Sequence, residues 1–345
     1  MRKHVMEVNP GDLLESDIFN DNGVFVLRKG TPLTSESIVK LVQHNIDYVD
    51  IEHVEDITEE PHQTSSLQKL EPQFNEAIHA FESIFLEALT TGKFDERDVD
   101  DLLQPIMHEL TDQKDVVSLL LMLDRKDNYT YNHSMQVGML SYYIALWLGY
   151  SQPNAYKAGK AGFLHDIGKS KIPDEILNKP GKLTPEEYEI IKLHTLHGYE
   201  IIRNSVQDEL TAQVALQHHE REDGTGYPNG LRDEQIHPFA KITAIADVYS
   251  AMTSNRVYQN KKELISVLHE LYRLSFGKFN PEATQAFIRH MIPNFIGKKV
   301  RLSSGELGSI VMTNPADFFR PLVKTETRFA DLSRESHIDI QEIFI

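Results

Sequence analysis

His165-Asp166-Ile167-Gly168-Lys169 places two metal-binding side chains at the end of a helical run. It continues the run Ala158-Gly159-Lys160-Ala161-Gly162-Phe163-Leu164, which is small, apolar and reads as buried helix. Two side chains that bind divalent cations stand side by side, and a lysine follows three residues after the Asp. A carboxylate has two oxygens and can bridge two cations, while the neighbouring imidazole binds one of them. The lysine ammonium can then hold an anion over the pair. A His-Asp dipeptide alone carries little, because it arises by chance in many chains. The reading rests on the His and Asp residues to either side.

Four further clusters lie in the same helical region. Tyr129-Thr130-Tyr131-Asn132-His133-Ser134 opens a helix carrying Val137, Leu140 and Ile144. His194 lies in a helix expected to start at Thr184-Pro185-Glu186-Glu187, which has an N-cap Thr, a Pro at the first position and a Glu three residues after the cap. His218-His219-Glu220 runs into Gly224-Thr225-Gly226-Tyr227-Pro228, and Asp247 interrupts the apolar run Ile242–Tyr249. Singly, each has a structural explanation: a helix-end His, a satisfied core His, an Asp paired with an Arg. Together they point elsewhere. An Asp amid an apolar helix is costly unless a cation compensates it. Five His and two Asp on separate helices can meet inside a bundle and hold two six-coordinate ions, one carboxylate bridging. All-N/O ligation of that number suits iron or manganese better than a closed tetrahedral zinc site.

In this order and spacing, the residues from about 118 to 325 resemble the HD-GYP domain of the HD phosphohydrolase superfamily. The resemblance rests on the His165-Asp166 pair with Gly168-Lys169, the His194 helix, the double His218-His219, Gly226-Tyr227-Pro228, and Asp247. It implies an all-helical domain that hydrolyses cyclic di-GMP through a metal cluster. Carried over by position, His133, His165, Asp166 and Asp247 would hold one ion, and Asp166, His194, His218 and His219 the other. Lys169 and Arg256 would contact substrate, and the loop at Gly226 and Tyr227 would shape the pocket. Family members with a third metal have a Glu where Tyr129 stands, so two ions are expected here. Val257, Gln259 and Ser250 also depart from the family pattern, and they bear on substrate choice rather than on ligands. The implied reaction opens the ring to linear pGpG, with either pGpG or GMP as the final product. The rival readings are an HD hydrolase of another cyclic dinucleotide or nucleotide, and a catalytically weak nucleotide-sensing module.

Composition bounds these readings. The chain has 345 residues, 40% hydrophobic and 25% charged, as in ordinary globular proteins. It has no apolar run of about 18 residues, so no membrane span is expected. The first residues turn acidic before any apolar segment, and no secretory leader is expected. Cysteine is absent, which excludes thiolate ligation and agrees with a cytoplasmic setting, and 16 His are available. A net charge of −17 argues against a nucleic-acid polymer as partner. A cyclic dinucleotide would then meet its positive potential only in bound cations and local Lys or Arg.

The expected architecture is mainly α, in four parts. Residues 1–55 read as a small α+β module of regulatory or structural character. Its hairpin turns at Asn20-Asp21-Asn22-Gly23, its helix follows Thr34 with Ile38, Leu41 and Val42 on one face, and its closing strand is 47–51. Residues 56–115 read as an acidic linker followed by amphipathic helices, with stripes Leu70, Phe74, Ile78, Phe81, Phe85, Ala88 and Val99, Leu102, Leu103, Ile106, Met107, Leu110. Residues 67–110 offer a face on which a homodimer could form. Residues 116–295 are the expected catalytic domain, and 296–345 a small, three-stranded β appendage.

Overall fold

The computed structural model describes the chain except residues 1, 6–7, 9–11, 20–24, 35–36, 38–39, 42–43, 45, 47, 52–65, 112, 114–115, 124–128, 207, 254–263, 315–316 and 345, and except the side chains of 2–4, 66–72, 118, 121–122, 129, 264 and 344. The chain forms two compact units, one of Met1–Gln63 with Phe295–Ile345, the other Thr64–Asn294. Among the described residues, no helix is long and apolar enough to cross a membrane.

The larger unit is helical. It opens with α1 (Ser66–Thr91) and α2 (Glu96–Leu110), capped by the Asp95 carboxylate, which accepts the Arg97 backbone N–H. Phe74, Ile78, Phe81 and Ala88 fall on one face of α1, and all are buried. That face is covered within the chain: the Phe81 ring lies 4.0 Å from Phe163 and 5.8 Å from Tyr131. Next come α3 (Val116–Leu123), α4 (Tyr129–Trp147) and α5 (Gln152–Leu164). Helix α4 is central and is buried on every side from Asn132 to Ala145. Helix α5 lies along it, with Gly162 facing Ser141. The lysine inside the apolar run is accommodated by charge: Lys160 Nζ lies 2.7 Å from both Glu96 Oε1 and Asp100 Oδ1, which ties α2 to α5.

After α5 the chain makes a short 3-10 turn, Ile167–Lys171, then α6 (Asp174–Leu177) and α7 (Pro185–Lys192). The expected capping box opens α7: Glu187 N–H donates to Thr184 Oγ1 at 3.3 Å and Thr184 N–H to Glu187 Oε2 at 2.7 Å. Contrary to expectation, that helix does not carry His194. It stops at Lys192, and His194 opens a new helix, α8 (His194–Ser205). The side chains of His194 and Thr195 take the carbonyls of Ile191 and Lys192, so these acceptors terminate α7 instead of extending it. Helices α9 (Glu209–Gln217), α10 (Pro238–Thr253), α11 (Leu264–Leu274) and α12 (Pro281–Met291) complete the unit, with α10 packed on α4.

In the smaller unit, β1 (Arg2–His4) pairs antiparallel with β4 (Tyr48–Asp50), and β2 (Ile18–Phe19) with β3 (Phe25–Leu27). Leu14, Val26, Leu33, Leu41 and Val49 are buried together. Ser37 N–H donates to Thr34 Oγ1 at 3.1 Å, as a helix cap would. The Asn20–Gly23 turn, Ile38, Val42 and nearly all of the acidic linker lie outside the described residues. The C-terminal β element is larger than the three expected strands. Beside β5 (Lys299–Leu302), β6 (Leu307–Met312) and β7 (Leu322–Thr325) stand β8 (Phe329–Asp331) and β9 (Ile340–Phe344), in the order β8-β7-β6-β5-β9. Pairing of β9 with β5 brings in strand residues too short and polar to declare themselves by alternation.

Phe81→Ala is expected to cost about 3–5 kcal/mol in urea unfolding. A loss below about 1 kcal/mol would mean that α1 is not part of the helical core.

Candidate metal centre

The His165-Asp166 pair sits where α5 ends. His165 is the helix's C-cap residue, and its Nδ1 lies 2.6 Å from the Gly162 carbonyl. Asp166 follows at φ −103 and ψ 8, and the 3-10 turn then carries Gly168 into α8. A Cβ on Gly168 would stand 1.9 Å from the His194 carbonyl and 2.3 Å from Gly198 N, so only glycine permits this approach. That contact brings His194 beside Asp166. Helix α9 ends at Gln217 and delivers His218 as its C-cap, with His219 next in the chain. Helices α4 and α10 contribute His133 and Asp247.

These seven side chains converge. The two oxygens of Asp166 face different partners. Oδ2 lies 3.2 Å from His165 Nε2 and 3.8 Å from His133 Nε2, while Oδ1 lies 3.3 Å from His194 Nε2 and 3.9 Å from His218 Nε2. Asp247 Oδ1 is 3.1 Å from His133 Nε2, and its Oδ2 is 3.9 Å from His219 Nδ1. His133, His165 and Asp247 offer ligand atoms within 4.8 Å of one another, and so do His194, His218 and His219. All but His219 are buried.

The donor chemistry suits divalent cations. The Nδ1 atoms of His165, His194 and His218 donate to carbonyls of Gly162, Ile191 and Ala215 at 2.6, 2.7 and 2.8 Å. That fixes the tautomer of the neutral ring, in which Nε2 keeps its lone pair on the side where Asp166 lies. His165 Nε2 and Asp166 Oδ1 are buried with no hydrogen-bond partner, a costly state that a cation on each side of the carboxylate would relieve. Burial holds His133, His218 and His219 below the ordinary imidazole range and brings His194 down to about 4. Burial would lower His165 too, but the Asp166 and Asp247 carboxylates outweigh it and raise that group. For Asp166, burial opposes ionisation, yet His165 and Lys169 hold it well below the carboxylate range. Asp247 is held there against burial by His133 and His219. Ionised carboxylates and mostly neutral imidazoles are the forms that ligate metal.

Of the other expected site residues, Lys169 donates to Asp166 Oδ2 and is partly exposed. Tyr227 stacks on His219 at 4.6 Å between centroids, and its N–H donates to the His219 carbonyl at 3.2 Å. Gly226 lies so close to the same segment that a Cβ would come within 2.4 Å of the His219 carbonyl. Arg256, with Val257 and Gln259, lies outside the described residues, as does the Tyr129 side chain.

Comparison with known proteins agrees with this geometry. Residues 118–282 match the family model described as HD domain. A cyclic di-GMP phosphodiesterase of Pseudomonas aeruginosa is 37% identical over 243 residues, covering 70% of this chain and 58% of that protein. A second, from Thermotoga maritima, is 40% identical over 223 residues, covering 62% and 59%. This chain belongs to the HD-GYP family. It spans just under three-fifths of the length of these two relatives. An HDG"Y"P protein from Bdellovibrio bacteriovorus, 16% identical, superposes with a TM-score of 0.53 over 83% of this chain and 97% of its own, a likeness of fold.

Two parts of the HD-GYP site were not read from sequence. Glu220, buried, accepts the backbone N–H groups of Asn229 at 2.7 Å and Leu231 at 3.0 Å, and so clamps the loop beyond Tyr227. An acid directly after two ligand histidines was the available signal. Tyr188 and Lys192 form a ledge beside Tyr227, with Lys192 Nζ 5.5 and 5.7 Å from the two ring centroids. Their i, i+4 spacing on α7 was legible, but its direction toward the site was not.

The depressed imidazoles give the metal-free protein a pH dependence. In the unfolded chain they titrate near 6.5. Below about pH 7 the unfolded state therefore binds protons that the folded state refuses, and stability falls with pH. His165, raised in the folded state, opposes this alone. The melting temperature of chelator-treated protein should fall from pH 7.5 to 5, and His194→Ala should flatten the slope. A rise over that interval would contradict the buried neutral imidazoles.

Proposed function

We propose that the protein is a metal-dependent phosphodiesterase that hydrolyses cyclic di-GMP, opening the ring to linear pGpG. The observation that carries the reading is the division of one buried carboxylate, Asp166, between two sets of imidazoles. Support for the substrate comes from the two relatives, which are named as cyclic di-GMP phosphodiesterases.

In this reading His133, His165, Asp166 and Asp247 hold one ion, and Asp166, His194, His218 and His219 the other. The ions are iron or manganese, in keeping with the all-N/O donors. Bound by these residues, such ions would lower the pKa of a water enough to make hydroxide available as the nucleophile at neutral pH. The residues around them orient the substrate. Lys169, one turn after Asp166, holds the non-bridging phosphate oxygen and stabilises charge as it develops there. Tyr227, braced on His219, offers a face to a guanine base, and Gly226 lets backbone approach it. Arg256 contributes a further contact to substrate. Glu220 keeps the loop in place.

The catalytic part is residues 116–295, with 1–55 in a regulatory or structural role and 296–345 a small β appendage. The setting is cytoplasmic. A homodimer through 67–110 would use the exposed Leu86 and Leu89 of α1, and light scattering on the purified chain decides it.

The deciding experiment pairs anaerobic metal analysis with product identification. Purified protein should hold close to two ions per chain and convert cyclic di-GMP to pGpG, and the product analysis shows whether GMP follows. His165→Ala and Asp166→Ala should each lower turnover at least about 1000-fold, with the helical circular dichroism retained. Less than one ion per chain, or turnover of nucleoside triphosphates alone, would refute the reading. Lys169→Ala should weaken turnover and keep the metal, and loss of metal in that variant would contradict its assigned role.

A further inference from the structure

The imidazoles of the cage differ in what holds them. For His165, His194 and His218 the acceptor at Nδ1 is a backbone carbonyl three residues earlier, which no side-chain substitution removes. His133 depends on side chains. Its Nδ1 lies 2.9 Å from Ser250 Oγ, Ser250 donates to Gln136 Oε1 at 2.6 Å, and Gln136 Nε2 donates to the Leu120 carbonyl at 3.2 Å. All three side chains are at most 3% exposed, so bulk water does not substitute for any of them.

The direction of this chain follows from its far end. A backbone carbonyl only accepts, so the Gln136 atom facing Leu120 is the amide nitrogen and the atom facing Ser250 is the oxygen. That oxygen also only accepts, so the Ser250 proton points to it. The Ser250 lone pair is then what His133 meets, and a neutral His133 must carry its proton on Nδ1. Its Nε2 consequently turns a lone pair toward Asp247 Oδ1, 3.1 Å away. Two electron-rich atoms at that distance call for a cation between them. Spacing makes the arrangement coherent. His133 and Gln136 are three apart on α4, and Asp247 and Ser250 are three apart on α10. Gln136 therefore stands one turn from His133 and Ser250 one turn from Asp247, and the relay crosses between the two helices, from His133 to Ser250 and back to Gln136.

We propose that Ser250 and Gln136 are positioning residues that select the Nδ1–H tautomer of His133 and aim its Nε2, together with Asp247, at a divalent cation. The proposal rests on the metal cage described above. Without the Ser250 hydroxyl, His133 can move its proton to Nε2 and donate to Asp247, which closes the cation position with a hydrogen bond.

The test uses the full chain, stripped of metal, and two readouts. The first is Mn(II) affinity by competition with a chelator. Ser250→Ala and Gln136→Met should weaken binding by about 10–100-fold, and Ser250→Thr, which keeps the hydroxyl, should restore most of it. The second is the tautomer of His133 in long-range 15N–1H spectra of histidine-labelled protein, assigned with His133→Gln. Wild type and Ser250→Thr should show Nδ1–H, and Ser250→Ala should show Nε2–H. Wild-type His133 protonated on Nε2, or Ser250→Ala and Gln136→Met both matching wild type in tautomer and affinity, would overturn the proposal. Wild type that binds no Mn(II) would instead refute the cage, and the tautomer readout would still judge the relay.

Discussion

A carboxylate withdrawn from water must be compensated by positive charge or by a full set of donors. Asp166 is 2% exposed and surrounded by imidazole nitrogens, several of which have no proton to offer it. Much of the helical unit can be understood as the means of keeping that group buried, ionised and shared. Lys169 donates to one oxygen, but without a metal ion the other oxygen faces imidazoles with no proton to give. With one, each of the same atoms becomes a ligand.

The position of Asp166 depends in turn on a backbone contact. Helix α5 ends at Leu164, and the turn beyond it touches α8 through Gly168 and Gly198. His194 is delivered by the break between α7 and α8, where its own side chain and that of Thr195 end the preceding helix. The ligand is thus also the element that stops the helix. The same economy holds at His218, which caps α9 with one nitrogen and faces Asp166 with the other. Fold and site share these hydrogen bonds.

Much of this was legible in the residues. Each proposed ligand combines a metal-binding side chain with an apolar or capping context, and a buried Asp247 could be inferred from the run around it. The stripes of α1 and α2, the capping box at Thr184 and the first three C-terminal strands follow from periodicity and turn chemistry. Other features were not legible. The helix break at Leu193 needs side chains to compete for carbonyls, which periodicity does not register. Strands β8 and β9 are short and partly polar, and they exist because a neighbour pairs with them. Glu220 was visible as an acid, but its two backbone partners lie 9 and 11 residues onward across a folded loop.

Residue identity and local pattern set the donors: imidazole and carboxylate without thiolate, placed on helices by their apolar settings. They also determined the family, through a motif order that chance rarely assembles. Tertiary structure alone decided which oxygen of Asp166 faces which imidazole, and which support holds each ring. The physical reason is range. Helix formation and capping are settled within a few residues, whereas the distances among His133, Asp166, His194 and Asp247 are set by how α4, α5, α8 and α10 pack, across more than a hundred positions of chain.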